Sequence, residues 1–102
     1  MEKEINQIIE TIKKHINPKV VILFGLRALW INTNESDFDV CVLVNQKDEL
    51  RQTTQMLYKS FINFNYPIDI IVENFEAFQT KKTMKNTIYH SINKGVVIYE
   101  SK

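Results

Sequence analysis

The ten residues from Glu35 to Val44, ESDFDVCVLV, decide how this chain is read. Phe38, Val40, Val42 and Val44 alternate with Asp39, Cys41 and Leu43, the period of two that places successive side chains on opposite faces of a strand. The second face is polar only near its beginning, so the pattern predicts a strand over 38–44 that enters a core and carries its charge at one end. Asp37 and Asp39 are separated by one residue. In a strand both then turn to the same face, with Cα atoms roughly 6–7 Å apart.

Working outward, Val20–Phe24 is a continuous apolar run, VVILF, stopped by Gly25. Its shortness and β-branching predict a second, buried strand. Between the two lies GLRALWINTNESD, in which Leu26–Ile31 reads as a short helix and Asn32–Ser36 as a loop. Upstream, Ile5, Ile8, Ile9, Ile12 and Ile16 recur at three and four residues, an amphipathic helix over 3–16 halted by Asn17 and Pro18. Downstream, Lys47–Asn63 carries a stripe of Leu50, Thr54, Leu57 and Phe61. Asn65 and Pro67 then turn the chain into PIDIIV, a third strand. Beyond Glu73 the periodicity weakens through Phe75, Phe78, Lys82 and Lys85 and returns at Ile88 and Ile92, predicting broken helicity before Gly95. A last strand follows over Val96–Tyr99. The expected architecture is one α+β domain over 1–102, a two-layer arrangement of a mixed sheet with helices mainly on one face.

Composition removes several function classes. The 102 residues hold 13 Lys+Arg and 12 Asp+Glu, a net charge of +1, so no bulk field favours nucleic acid or a membrane surface. One cysteine and two histidines supply neither an internal disulfide nor a soft-ligand zinc site. No apolar run approaches the roughly 18–20 residues that span a bilayer, and the start, MEKEINQ, lacks the basic-then-apolar pattern of a secretion signal. A cytoplasmic protein is expected. Lys81, Lys82 and Lys85 read as a solvated helix face, and Cys41 as a small packed thiol.

The chemistry concentrates in carboxylates. Asp69 repeats the arrangement of Asp39, an acid flanked by apolar residues in a strand. If the two strands are neighbours, a third carboxylate joins Asp37 and Asp39, and three hard oxygen donors suit Mg²⁺ or Mn²⁺. The alternative reading makes Asp37 a turn cap and Asp39 a solvent-facing residue. Upstream, Gly25 ends a strand just before Leu26 and Arg27. Exposed backbone N–H groups there, with the Arg27 guanidinium, suit a phosphate; a plain surface arginine fits the spacing equally well.

Taken together, VVILFGLRA, ESDFDVCVLV and PIDIIV resemble the minimal nucleotidyltransferase domains of the polymerase-beta-like superfamily, which include small antitoxin partners of HEPN-domain toxins. The resemblance covers nearly the whole chain. It implies the nucleotidyltransferase fold, with Asp37, Asp39 and Asp69 as catalytic and metal-binding acids and Gly25, Leu26 and Arg27 at the nucleotide. It also implies Mg²⁺ or Mn²⁺ as cofactor, ATP as substrate, and AMP transfer to a protein or RNA hydroxyl. A HEPN-domain protein is the implied partner, and a homo-oligomer remains open as the functional unit. Two positions depart from the family pattern. Leu26 stands where the family has a phosphate-holding serine, and no leucine side chain donates a hydroxyl hydrogen bond. Trp30 stands where the family tends to have a small glycine. The departures predict turnover that is slow or partner-dependent, or a protein that keeps the fold and acts by binding alone.

Overall fold

A computed structural model describes residues 1–29 and 37–102. Its elements, in order, are α1 (Glu2–His15), β1 (Val20–Phe24), a 3-10 helix (Leu26–Leu29), β2 (Phe38–Val44), α2 (Leu50–Ser60), β3 (Ile68–Asn74), α3 (Phe75–Lys81), α4 (Ile88–Asn93) and β4 (Val96–Glu100). The loop expected at Asn32–Ser36, and Trp30 and Ile31 before it, lie outside the described residues.

The strands form one mixed sheet in the order β3-β2-β1-β4. β1 is antiparallel to both β2 and β4, whereas β2 and β3 are parallel. A parallel neighbour needs a crossover, which α2 supplies. The register sets Phe24 opposite Asp39 on one side, and Asp39 opposite Asp69 on the other.

Strand alternation divides the apolar residues between two clusters. On one face Val21, Leu23, Val40, Val42 and Ile70 pack against Ile5, Ile8 and Ile12 of α1 and Leu57 of α2. On the other, Val20, Ile22, Phe24, Cys41 and Leu43 meet Phe78 of α3 and Ile92 of α4. The two long helices thus mass on one face, and the short pair covers part of the other. That cover explains why the second face of β2 is apolar after Asp39: Cys41 and Leu43 lie beneath α3 and α4 and are fully buried.

The boundaries move for local reasons. α1 carries Glu2 and Glu4 in its first turn and Lys13, Lys14 and His15 in its last, complementing the helix dipole. It ends at His15 because Ile16 is already extended, φ −144°, ahead of Asn17 and Pro18. α2 starts at Leu50 instead of Lys47, since Glu49 sits at φ 60° and the Gln46 amide donates to Asp48 O and Thr53 Oγ1. β3 runs to Asn74, two residues past PIDIIV. The buried Asn74 side chain donates to the carbonyls of Asn45 and Gln46, both at 3.1 Å, and accepts from Ala77 N at 3.0 Å. One amide therefore ties the β2–α2 loop to the start of α3 and caps that helix. Among the described residues no helix is long and apolar enough to cross a membrane.

Candidate functional site

Gly25 ends β1 at φ +74°, a conformation that costs a glycine nothing and an L-residue about 1–2 kcal/mol. Space gives a second reason for glycine here. A Cβ on Gly25 would collide with Oδ2 of Asp39, so the turn after β1 lies directly against that carboxylate.

Asp39 is half-buried at the start of β2, while Asp37 and Asp69 are exposed. Burial, then the charges of Asp69 and Asp37 and a hydrogen bond shared with Asp69, push the Asp39 carboxyl from 3.8 up to about 6. Asp37 and Asp69 are thus near enough for their charges to resist the ionisation of Asp39. A proton or a cation relieves that repulsion, and three carboxylates are the hard oxygen donors that Mg²⁺ and Mn²⁺ prefer. Among the described residues no three acidic, histidine or cysteine side chains are grouped closely enough to hold a metal ion by themselves. A hard divalent ion at these carboxylates would draw further ligands from water and substrate oxygens, as Mg²⁺ commonly does.

The other residues of interest fall on both sides of the sheet. Leu26 and Leu29 are 54% and 67% exposed beside the Gly25 turn. Arg27 is buried, its guanidinium 4.3 Å from the Phe38 ring and 5.2 Å from the Tyr66 ring. Phe38 precedes Asp39 in β2 and belongs to the α1/α2 face, so Arg27 stacks on the side away from the Asp39 carboxylate. Phe64 and Tyr66 complete the bed, each with its centroid 5.6 Å from Phe38 in an edge-on arrangement. Sequence reading missed this bed. An arginine two residues after a glycine carries no sign of its depth, and the rings around it come from 38, 64 and 66.

Away from the acids, burial and the Glu73 charge push the Cys41 thiol up to about 12, which makes it a packing group and no nucleophile. The lysine cluster is partly committed within the chain. Lys81 pairs with Glu73 at 3.0 Å, and Lys82 donates to Gln79 at 2.6 Å. Tyr89 donates to the same Glu73 carboxylate at 3.3 Å, joining α4 to β3.

The family description "Polymerase beta, Nucleotidyltransferase" matches residues 6–102. The chain belongs to this nucleotidyltransferase family. Solved structures with the same nucleotidyltransferase fold include toxin–antitoxin complexes. One is a tri-AMPylated Shewanella oneidensis HEPN toxin in complex with MNT antitoxin, at TM-score 0.63 and 16% identity, covering 98% of this chain and 72% of that one. A second, a mutant of the MntA–HpeT toxin–antitoxin, gives 0.61 and 15% over 96% and 74%. A third, a toxin–antitoxin with AMP-PNP, gives 0.57 and 16% over 96% and 74%. At these identities the likeness establishes the nucleotidyltransferase fold and nothing finer. No protein of curated function matches the sequence.

Proposed function

We propose that residues 1–102 act as one metal-dependent nucleotidyltransferase unit that moves AMP from ATP to a hydroxyl of a protein or RNA, paired with a HEPN-domain protein as its antitoxin. The observation that supports the reading is the register that sets Asp39 opposite Asp69, with the charge of Asp37 acting on the same Asp39 carboxyl beside the Gly25 turn. In this proposal Asp37 and Asp39 hold Mg²⁺ or Mn²⁺, and Asp69 either adds a ligand or accepts the proton of the attacking hydroxyl. The ion, when bound, neutralises phosphate charge. Gly25 and Leu26 present backbone to the phosphates, and Arg27 braces the turn from its stacked position on Phe38 and Tyr66. The acceptor oxygen bonds to the α-phosphorus, the bond to the bridging oxygen breaks, and pyrophosphate leaves. The proposal sets this reaction in the cytoplasm. Support for AMP and a HEPN partner comes from the neighbours, one of which holds AMP-PNP and another an AMPylated HEPN toxin.

A specific observation also favours binding without turnover: Leu26 offers an exposed apolar side chain and no hydroxyl at the turn. The deciding experiment incubates the protein with labelled ATP, Mg²⁺ and its copurified partner. Label on the partner or on RNA, lost in Asp39→Asn, is the expected result. Neither nucleotide binding nor transfer with any of the four common nucleoside triphosphates refutes the enzymatic reading. Recovery in a Leu26→Ser, Trp30→Gly double variant then locates the block at those two positions.

A further inference from the structure

A hollow of about 280 Å³ opens on the α3/α4 face of the sheet, between α3 and the ends of β1 and β4. Its floor is apolar, made by Val20, Ile22 and Leu43 of the sheet and Phe78 of α3. Val20 pairs with Leu43 at one end of the β1–β2 ladder, and Phe24 with Asp39 at the other. Four residues of strand, about 13 Å, therefore separate the hollow from the carboxylates. The proposed transfer makes no use of it.

The walls of the hollow differ in charge. On the α3 side the Lys19 ammonium lies 4.8 Å from the centre of the Phe75 ring, and Gln79 follows Phe75 by one helical turn. The Gln79 side-chain oxygen already accepts from Lys82 at 2.6 Å, which leaves its NH₂ group as a donor. On the β4 side stand Glu100 and Ser101. Among the described residues Lys19 and Glu100 form no ion pair with each other, although both line this one hollow. One wall thus offers an ammonium and an amide donor, the other a carboxylate and a hydroxyl, and hydrocarbon lies between them.

A plain anion would be repelled by Glu100 and a plain cation by Lys19. A molecule that carries both charges and an apolar body satisfies every wall. We infer that the hollow binds a free α-amino acid with an apolar side chain, its carboxylate toward Lys19 and Gln79, its ammonium toward Glu100, and its side chain on the Val20, Ile22 and Leu43 floor. The Lys19 ammonium has three donors, so it takes a carboxylate without leaving the Phe75 ring. Size agrees with the assignment: sites for drug-sized ligands run to roughly 300–1,000 Å³, and a hollow just below that range suits one amino acid better than a nucleotide.

Titration of ¹⁵N-labelled protein with L-leucine and with L-phenylalanine, in the absence of ATP and metal, tests this by NMR. Saturable shifts are expected at the amides of Val20, Gln79 and Glu100, with those of Asp39 and Asp69 unmoved. Two analogues of phenylalanine remove one charge each: 3-phenylpropionate lacks the ammonium and phenethylamine the carboxylate. Each should bind roughly tenfold or more weakly than phenylalanine, the loss of one hydrogen-bonded charge. Lys19→Met and Glu100→Gln, neither at a buried position, should weaken phenylalanine by a similar factor. Lys19→Met should do no harm to phenethylamine, nor Glu100→Gln to 3-phenylpropionate, a pattern that a damaged fold would not give. Absence of saturable shifts with both amino acids overturns the inference, as does either analogue binding as tightly as phenylalanine. The analogue comparison uses the unaltered protein, so it decides the matter even where a variant folds poorly. No outcome depends on nucleotidyl transfer, and the amino-acid site and the enzymatic reading stand or fall separately.

Discussion

Replacing Gly25 with alanine puts two separable demands on the turn that carries the candidate site. Holding alanine at φ +74° costs about 1–2 kcal/mol, and the stiffer unfolded chain returns about 0.4–1, so the backbone alone leaves a loss near 1 kcal/mol. The new methyl group also runs into Asp39 Oδ2, and the carboxylate must leave its rotamer at about 0.5–1.5 kcal/mol. The whole cost is then roughly 2 kcal/mol, a fall in melting temperature of about 10 °C for a domain of this size. Urea unfolding at pH 7 of wild type, Gly25→Ala, Asp39→Ala and the double variant separates the parts. With Asp39 cut back to its Cβ, which lies 3.5 Å from the added methyl in ordinary contact, only the backbone cost should remain. The cycle should therefore show a coupling of about 1 kcal/mol. An equal cost in both backgrounds would refute the close approach of turn and carboxylate, and no cost in either would refute the left-handed turn itself.

Asp37→Asn and Asp39→Asn should each weaken Mg²⁺ or Mn²⁺ binding roughly tenfold or more by isothermal titration, with ATP present to complete the coordination; affinity equal to wild type would remove both from the metal site. The metal-free protein should lose stability as pH rises from 3.8 to about 6 and then level off, because the folded state holds the Asp39 proton in that window and the unfolded state does not. Asp39→Asn should erase that part of the slope in a series of urea titrations. Tyr58→Phe should cost about 1 kcal/mol and speed hydrogen exchange at the Ile70 amide, which loses its acceptor at 2.8 Å; unchanged exchange would show the amide is served otherwise.

Strands were the most legible part of the sequence. β2 falls on 38–44 as its alternation predicts, and β1 on the apolar run before Gly25. Both patterns report burial on a pleated surface, which is local information. The phase of Asp39 and Asp69 was equally local, since each acid alternates with apolar neighbours. Their adjacency was not, because alternation says which face a residue takes and nothing about which strand comes next. The parallel register that sets Asp39 opposite Asp69 depends on the α2 crossover, and only the folded chain shows it. Tertiary contact also decided Arg27, whose aromatic bed is assembled from two separate segments, and Asn74, whose amide bonds reach back to residues 45 and 46. The split of the last helical region at Lys81 and Ile88 was visible as lost periodicity, but its role in covering Cys41 and Leu43 was not.

The parallel register of β2 and β3 also has a kinetic side. Asp39 and Asp69 are thirty residues apart in sequence and face each other only after α2 has closed the crossover, so like charges must be pressed together at a step already slowed by loop closure. Folding of the metal-free chain therefore works against its own site. Screening salt should hasten refolding and a divalent cation should hasten it more, by binding as the strands come together. Stopped-flow refolding with and without Mg²⁺ measures this, and a folding rate indifferent to both would mean that the acids meet only after the rate-limiting barrier has been crossed.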